Sequence, residues 1–266
     1  MGTWLFCLTA GGMLAVLGMC RPDQIADRFL RLIGILTFAL LSGVAAWFLY
    51  TRGWQSDGWT PLAGALTVLA ALPPAALIWL APGAQRHTLA FTILCVVGAL
   101  LALTAGCFWT AGSADLSAAG RFGWPATVIG HVSGALLMGS VTLAWLLGHA
   151  YLTATKMTIA PLRRLAWIVA AAVAFRFSFG LVSLALATWG SANPTIIAQL
   201  GNAWLILTLR AALGLVFPAV FAYMVLDCVK LRATQSATGI LYFMSLFVYV
   251  GELSSQHLLT QLGWPI

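Results

Sequence analysis

Residues 94–103 read Leu-Cys-Val-Val-Gly-Ala-Leu-Leu-Ala-Leu, a stretch without charge, proline or alternation between polar and apolar positions. Residues 168–174 show the same continuity. A strand of a membrane β-barrel alternates apolar and polar residues, whereas a membrane-spanning helix needs about 20 predominantly apolar residues in succession. These stretches therefore predict transmembrane helices and argue against a barrel.

Eight apolar runs of suitable length follow one another along the chain. Short segments with charge, glycine, proline or asparagine separate them. We predict helices at residues 3–20, 29–50, 60–81, 88–112, 125–152, 162–189, 203–229 and 237–262. The chain is therefore predicted to be an all-α integral membrane protein, a bundle of about eight transmembrane helices, with loops too short to form an extramembrane domain.

The composition agrees with a lipid environment. Of 266 residues, 62% are hydrophobic and only 7% are charged, whereas about a quarter of the residues in a soluble domain are charged. The net charge of +7 comes from basic residues that apolar segments keep apart. A nucleic-acid partner would require a clustered basic surface, so we expect the lipid bilayer and no nucleic acid as a partner.

The basic residues predict an orientation. Two of them, Arg52 and Arg121, flank loops that follow even-numbered helices. Nine flank the loops after the first, third, fifth and seventh helices: Arg21, Arg28, Arg31, Arg86, Lys156, Arg163, Arg164, Lys230 and Arg232. Positive charge favours the cytoplasmic side, which places both termini on the outer, periplasmic side of a bacterial inner membrane. The tryptophans expected at the outer interface are Trp54, Trp59, Trp124, Trp189, Trp204 and Trp264.

Four ionisable residues lie inside predicted helices. His131, Arg176, Arg210 and Glu252 stand in the apolar middle parts of the fifth to eighth helices, whereas most other ionisable residues lie near helix ends. Such a group costs about 2.5–3.5 kcal/mol on insertion scales and indicates a functional site. Because the first four helices have no such group within the membrane, we divide the chain into a scaffold half, residues 1–115, and a half that carries the site, residues 116–266.

The spacing of these groups predicts a polar pocket that opens outward. At 1.5 Å of rise per residue, His131, Arg210 and Glu252 each lie ~10 Å below the outer boundary, and Arg176 lies near the midplane. One interpretation is a structural ion pair between Glu252 and either arginine. One carboxylate, however, cannot satisfy two guanidinium groups and a histidine.

A quinone head group, from menaquinone or ubiquinone, would supply the missing acceptors. We expect His131, Arg176, Arg210 and Glu252 to line its pocket, with His257 as a further candidate. Glu252 and His131 would relay the protons that quinone chemistry exchanges, and the arginines would polarise a carbonyl.

A haem b is the alternative cofactor, with His131 and His257 as its ligands. The estimated depths of these two residues differ by about 7 Å, which argues against the pair. No metal site is expected, because the five cysteines form no CxxC pair and lack metal-ligand spacing.

Prolines inside two predicted helices should distort them. Pro73 and Pro74 lie within the third helix, and Pro218 lies within the seventh. A distorted helix can open a cavity in a bundle.

An arginine early in the penultimate helix, Arg210, and the Gly251-Glu252-Leu253 step in the last helix carry a resemblance. At these positions the sequence resembles the eight-helix membrane-anchor subunits of the dimethyl sulfoxide reductase family and, more loosely, the polysulfide and nitrite reductase anchors. The resemblance implies quinol chemistry on the outer side and an iron–sulfur subunit on the periplasmic face. It also implies that the anchor itself holds no haem.

We therefore expect a quinone-interacting membrane anchor of a multi-subunit respiratory complex, an oxidoreductase subunit and not a self-contained enzyme. Because the loops are too short for redox centres, an iron–sulfur or cytochrome subunit must supply them.

The alternatives are a haem b-binding subunit, a structural assembly subunit and a small proton-coupled transporter. A transporter is expected to contain an internal repeat, and the confinement of ionisable groups to residues 116–266 argues against one.

Overall fold

The computed structural model describes residues 2–51, 55, 58–111, 123–153, 158–186 and 201–262. All regular secondary structure in these ranges is helical, which confirms the predicted all-α class. The helices are α1 (Thr3–Met19), α2 (Asp27–Tyr50), α3 (Thr60–Ala70), α4 (Leu72–Leu80), α5 (Thr88–Ala111), α6 (Gly123–Thr153), α7 (Ala160–Ala185), α8 (Trp204–Ala211), α9 (Phe217–Lys230) and α10 (Thr234–Leu262). Short 3-10 turns form Pro22–Gln24 and Ala81–Gly83, and a π-helical turn forms Ala212–Val216.

Seven helical segments in the described ranges are long and apolar enough to cross a membrane. They are α2, the α3–α4 pair, α5, α6, α7, the α8–α9 pair and α10. The first helix, α1, is apolar but has only 17 residues, which at 1.5 Å per residue is about 26 Å. The structure thus describes an integral membrane protein, and an eighth span at α1 stays a prediction.

The expected distortions at proline are confirmed. The third predicted helix breaks at Ala71, just before Pro73 and Pro74 in the first turn of α4. The seventh contains the π-helical turn, which ends just before Pro218 in the first turn of α9. Proline has no backbone N–H and its ring clashes with the carbonyl four residues earlier, which here belongs to Gly214. A regular α-helical ladder therefore cannot continue through this point.

Helix α1 joins the two predicted halves. It packs mainly against α5 and α6 and also touches α2. Its crossing with α6 is a backbone contact: a Cβ atom at Gly12 would lie 1.8 Å from the carbonyl oxygen of Ala135, and one at Gly139 would lie 2.1 Å from the carbonyl carbon of Gly12. Small residues allow such close approach of helices in lipid.

Helices α6 and α10 pack antiparallel along a seam of small residues. Gly134 lies against Glu252, and Gly148, fourteen residues later, lies against Thr238, fourteen residues earlier. Beside the second contact, the rings of Trp145 and Tyr242 are 4.8 Å apart. The segments 148–152 and 234–242 therefore include contacts that hold these two helices together.

The two ends of the bundle differ in chemistry. The rings of Trp59 and Trp124 both contact Phe108 at one end, where α3 and α6 begin and α5 ends. Exposed basic side chains lie at the ends of helices on the other side, at Arg21, Arg28, Arg31, Arg86, Arg163, Arg164, Lys230 and Arg232. Other residues used to predict the orientation lie outside the described residues, namely Arg52, Arg121, Lys156, Trp54, Trp189 and Trp264.

Candidate functional site

The carboxylate of Glu252, on α10, binds two arginines from two other helices. Arg176 on α7 donates from Nε to Oε1 at 2.9 Å and from Nη2 to Oε2 at 2.8 Å, a bidentate pair. Arg210 on α8 donates from Nη1 to Oε1 at 3.1 Å. The three side chains form a cluster that ties α7, α8 and α10 together.

This cluster is buried and carries an excess of positive charge. The exposed fractions of Arg176, Arg210 and Glu252 are 2%, 1% and 5%. Two guanidinium groups and one carboxylate sum to +1 in their ionised forms. A buried charge is costly unless it is paired and hydrogen-bonded, so the carboxylate stabilises both arginines in this position.

Glycine residues make room for the cluster. A Cβ atom at Gly134 on α6 would lie 2.5 Å from Oε2 of Glu252, so the carboxylate rests on the backbone of α6. Gly251 and Gly214 touch through their backbones, because a Cβ atom at Gly251 would lie 2.1 Å from Cα of Gly214. Gly214 belongs to the π-helical turn, and this contact brings α8 close enough for Arg210 to reach Glu252.

The two arginines differ in their remaining contacts. Arg176 donates to Ser255 Oγ at 3.0 Å and to Ser133 Oγ at 3.4 Å. Its guanidinium carbon lies 5.5 Å from the centre of the Phe179 ring, a favourable cation–π distance. Nε and Nη2 of Arg210 have no hydrogen-bond partner among the described residues. The sequence predicted more hydrogen-bond donors than the carboxylate can satisfy, and in the ranges that the structure describes the unsatisfied guanidinium donors are those of Arg210.

His131 lies beside the cluster in a fixed orientation. Its Nδ1 is 2.6 Å from the carbonyl oxygen of Thr127, one turn earlier on α6. A carbonyl oxygen only accepts, so Nδ1 is the donor and Nε2 of the neutral ring carries a lone pair. Nε2 is buried and has no partner in the described part of the chain. The amide nitrogen of Gln256 on α10 is likewise buried and unpartnered there.

These groups border a cavity near the end of the bundle that the tryptophans mark. It measures about 300 Å³ with its open mouth, of which about 20 Å³ can hold the centre of a water molecule. One water needs about 10–15 Å³ by this measure. The polar residues that line it are His131, Arg176, Glu252, Ser255 and Gln256. The other lining residues are Trp4, Leu8, Gly130 and Leu259. Because Trp4 and Leu259 both line it, α1 begins at the end of the bundle where α10 finishes.

The structure brings together four of the five residues singled out from the sequence. His131, Arg176 and Glu252 line the cavity, and Arg210 binds Glu252 from the other side. Arg176 was placed deeper by counting along its helix, but its long side chain reaches the level of the carboxylate. His257 is exposed and does not line the cavity that His131 borders.

Sequence reasoning missed Gln256 and the contribution of α1. Gln256 lies four residues after Glu252 and hence on the same face of α10, a spacing that could have identified it. Trp4 and Leu8 close the cavity from α1, although residues 1–115 were predicted to act only as a scaffold. No local signal in α1 indicates this contact, because it depends on the crossing of α1 with α6.

Comparison of the chain with protein-family profiles, with curated proteins and with solved structures finds no match. The function must therefore be argued from the site itself.

Replacement of Gly134 by alanine tests the fit of the carboxylate against α6. The added methyl group would lie 2.5 Å from Oε2 of Glu252, so Glu252 must shift away from Arg176. We expect a loss of about 1–3 kcal/mol in the free energy of unfolding, typical of overpacking, measured by denaturation in detergent. Gly239→Ala on α10, where a Cβ atom meets nothing within 4 Å, is the matched control. Equal stability of the two variants would contradict the close contact.

Proposed function

We propose that this chain is the membrane-anchor, quinone-interacting subunit of a respiratory electron-transfer complex. The proposal places the cavity at the periplasmic side of a bacterial inner membrane. An iron–sulfur or cytochrome subunit docked there would exchange electrons with the quinol. The observation that carries the proposal is a buried, positively charged cluster beside a cavity with unpartnered polar atoms.

The chemistry of the lining supports a quinone as the ligand. A quinone needs donors to its carbonyl oxygens, and a quinol needs acceptors for its hydroxyl groups. Gln256 offers a free donor and His131 a free acceptor. Trp4, Leu8 and Leu259 provide apolar contacts for a ring or tail, as ligand pockets commonly combine a few polar groups with apolar walls.

The small volume of the cavity favours a binding mode in which only one edge of the quinone head group enters it. About 20 Å³ of the cavity can hold the centre of a water molecule, within about 300 Å³ of empty space that includes the open solvent at its mouth. A head group would therefore direct one oxygen inward and keep its ring at the mouth. The bound quinone would supply the exchange of electrons and protons. The cluster favours negative charge on an oxygen held there, because its net charge is +1 and it lies in a low dielectric.

The test is isolation of the native complex through an affinity tag on this chain, followed by quinone extraction and quinol turnover. We expect quinone in the sample. We also expect Glu252→Gln to lower turnover per folded complex at least tenfold, because the substitution releases the two arginines from their carboxylate. His257→Gln, on the same helix but exposed, should turn over quinol at the wild-type rate.

Two results would contradict the proposal. One is a complex without quinone in which Glu252→Gln retains the wild-type rate. The other is substrate-dependent proton flux in vesicles that contain this chain alone, which would indicate a transporter. A haem absorption band in a reduced-minus-oxidised spectrum of the isolated chain would establish haem as its cofactor.

A further inference from the structure

We propose that His131 and Gln256 form an acceptor–donor pair that binds one hydroxyl oxygen of a hydroquinone, and that His131 accepts its proton. This inference rests on the proposed function. It assigns a substrate-binding role to Gln256 and removes Glu252 from the path of the proton.

The acceptor is fixed by the backbone of α6. Because Nδ1 of His131 donates to the carbonyl of Thr127 at 2.6 Å, the lone pair of the neutral ring is on Nε2. His131 is 6% exposed, and Nε2 has no partner among the residues described. A buried acceptor without a partner is costly, so a hydroxyl group or a water molecule is the ligand that suits it.

The donor comes from α10. Gln256 is 9% exposed and lines the same cavity, and its amide nitrogen has no partner within the described ranges. A hydroxyl group both donates and accepts. One hydroxyl oxygen can therefore donate to Nε2 of His131 while it accepts from the Gln256 amide, which satisfies both buried groups together.

The size of the cavity agrees with a single oxygen atom. About 20 Å³ of the cavity can hold the centre of a water molecule, which is room for about one or two waters, and a ligand hydroxyl can replace an ordered water where it reproduces the same hydrogen bonds. The apolar side chains of Trp4, Leu8 and Leu259 also border the cavity. These contacts select a hydroxyl carried on an apolar ring over a free polar solute.

Glu252 is occupied by other contacts. Its Oε1 accepts from Arg176 and Arg210, and its Oε2 accepts from Arg176. A proton on this carboxylate would leave two buried guanidinium groups without a counter-charge. Glu252 is thus a positioning residue, which holds the arginines that favour negative charge on the bound oxygen.

The reaction balances with a partner subunit as the oxidant. Oxidation of a hydroquinone breaks two O–H bonds and releases two protons and two electrons. His131 accepts the proton of the hydroxyl that Gln256 holds, and water at the mouth accepts the other. The electrons pass singly to the iron–sulfur or haem centres of the partner subunit. His131 then releases its proton to the mouth, which restores the acceptor.

The experiment measures oxidation of a short-chain hydroquinone by the native complex. Gln256→Met keeps the length of the side chain and removes the donor, so we expect KM to rise at least tenfold with a smaller change in kcat. His131→Leu removes the proton acceptor, and kcat should fall about 100-fold or more. Gln261→Met and His257→Leu, at exposed positions of α10, should leave both constants unchanged.

A second variant separates a loss of quinol binding from a loss of folding. Gln256→Asn retains the amide on a shorter side chain and should give a KM between those of the wild type and Gln256→Met. Wild-type constants for Gln256→Met, in a complex that contains quinone and oxidises the hydroquinone, would overturn this inference and leave the proposed function intact. Absence of quinone and of quinol turnover in the wild-type complex would overturn the proposed function itself.

Discussion

Replacement of Glu252 by methionine is expected to destabilise the protein more than any other single replacement in the cluster. The substitution leaves Arg176 and Arg210 buried, at 2% and 1% exposure, without their carboxylate. Removing one partner of a buried ion pair costs about 3–5 kcal/mol, because the other charge stays buried and uncompensated. We expect a large drop in the unfolding temperature in detergent and little folded protein in the membrane.

The two arginines provide an internal comparison. Arg210→Met leaves the bidentate pair of Arg176 and Glu252 intact and removes the excess positive charge, so its effect should be clearly smaller. Ser254→Ala, a neighbouring change on α10, controls for substitution in this helix. If Glu252→Met and Arg210→Met have the same unfolding temperature, the carboxylate is not the common counter-charge that the contacts indicate.

Replacement of Gly139 by leucine is expected to separate α1 from α6. At this position even a methyl group would lie 2.1 Å from the carbonyl carbon of Gly12, and a backbone cannot yield as a flexible side chain does. Overpacking of a core ordinarily costs about 1–3 kcal/mol. Because two helix backbones must part here, we expect a larger loss, seen as a lower unfolding temperature and as proteolysis of the α1 segment.

The control for Gly139→Leu is the same substitution at Gly43 on α2. A Cβ atom at Gly43 meets nothing within 4 Å, so Gly43→Leu should preserve stability. Gly139→Leu should also impair quinol turnover wherever the protein still folds, because α1 supplies Trp4 and Leu8 to the cavity. Retention of the wild-type unfolding temperature by Gly139→Leu would show that the two helices do not cross at this point.

Two features of the sequence were sufficient to predict the class of fold and most of the charged cluster. Apolar runs of about 20 residues can satisfy their backbone groups in lipid only as helices. An ionisable residue inside such a run must face the bundle and find a partner. These constraints act on each helix separately, so they located Arg176, Arg210 and Glu252 without knowledge of how the helices pack.

The pairing within the cluster required the tertiary structure. Both arginines were available to Glu252, and the sequence did not choose between them. The carboxylate binds both, because the Gly214–Gly251 contact brings α8 to one side of it while α7 approaches from the other. Counting backbone rise also ignores the length of an arginine side chain, so the reach of Arg176 to the carboxylate was visible only in the structure.

The sequence by itself determined that this chain is a helical membrane protein with a few ionisable groups inside its second half. Lipid imposes this outcome, because it leaves the backbone and the charges few alternatives. The tertiary structure alone decided that α1 closes the cavity, that Gln256 faces it and that His257 does not. These results depend on which helix faces touch, and close glycine crossings between distant segments set those faces.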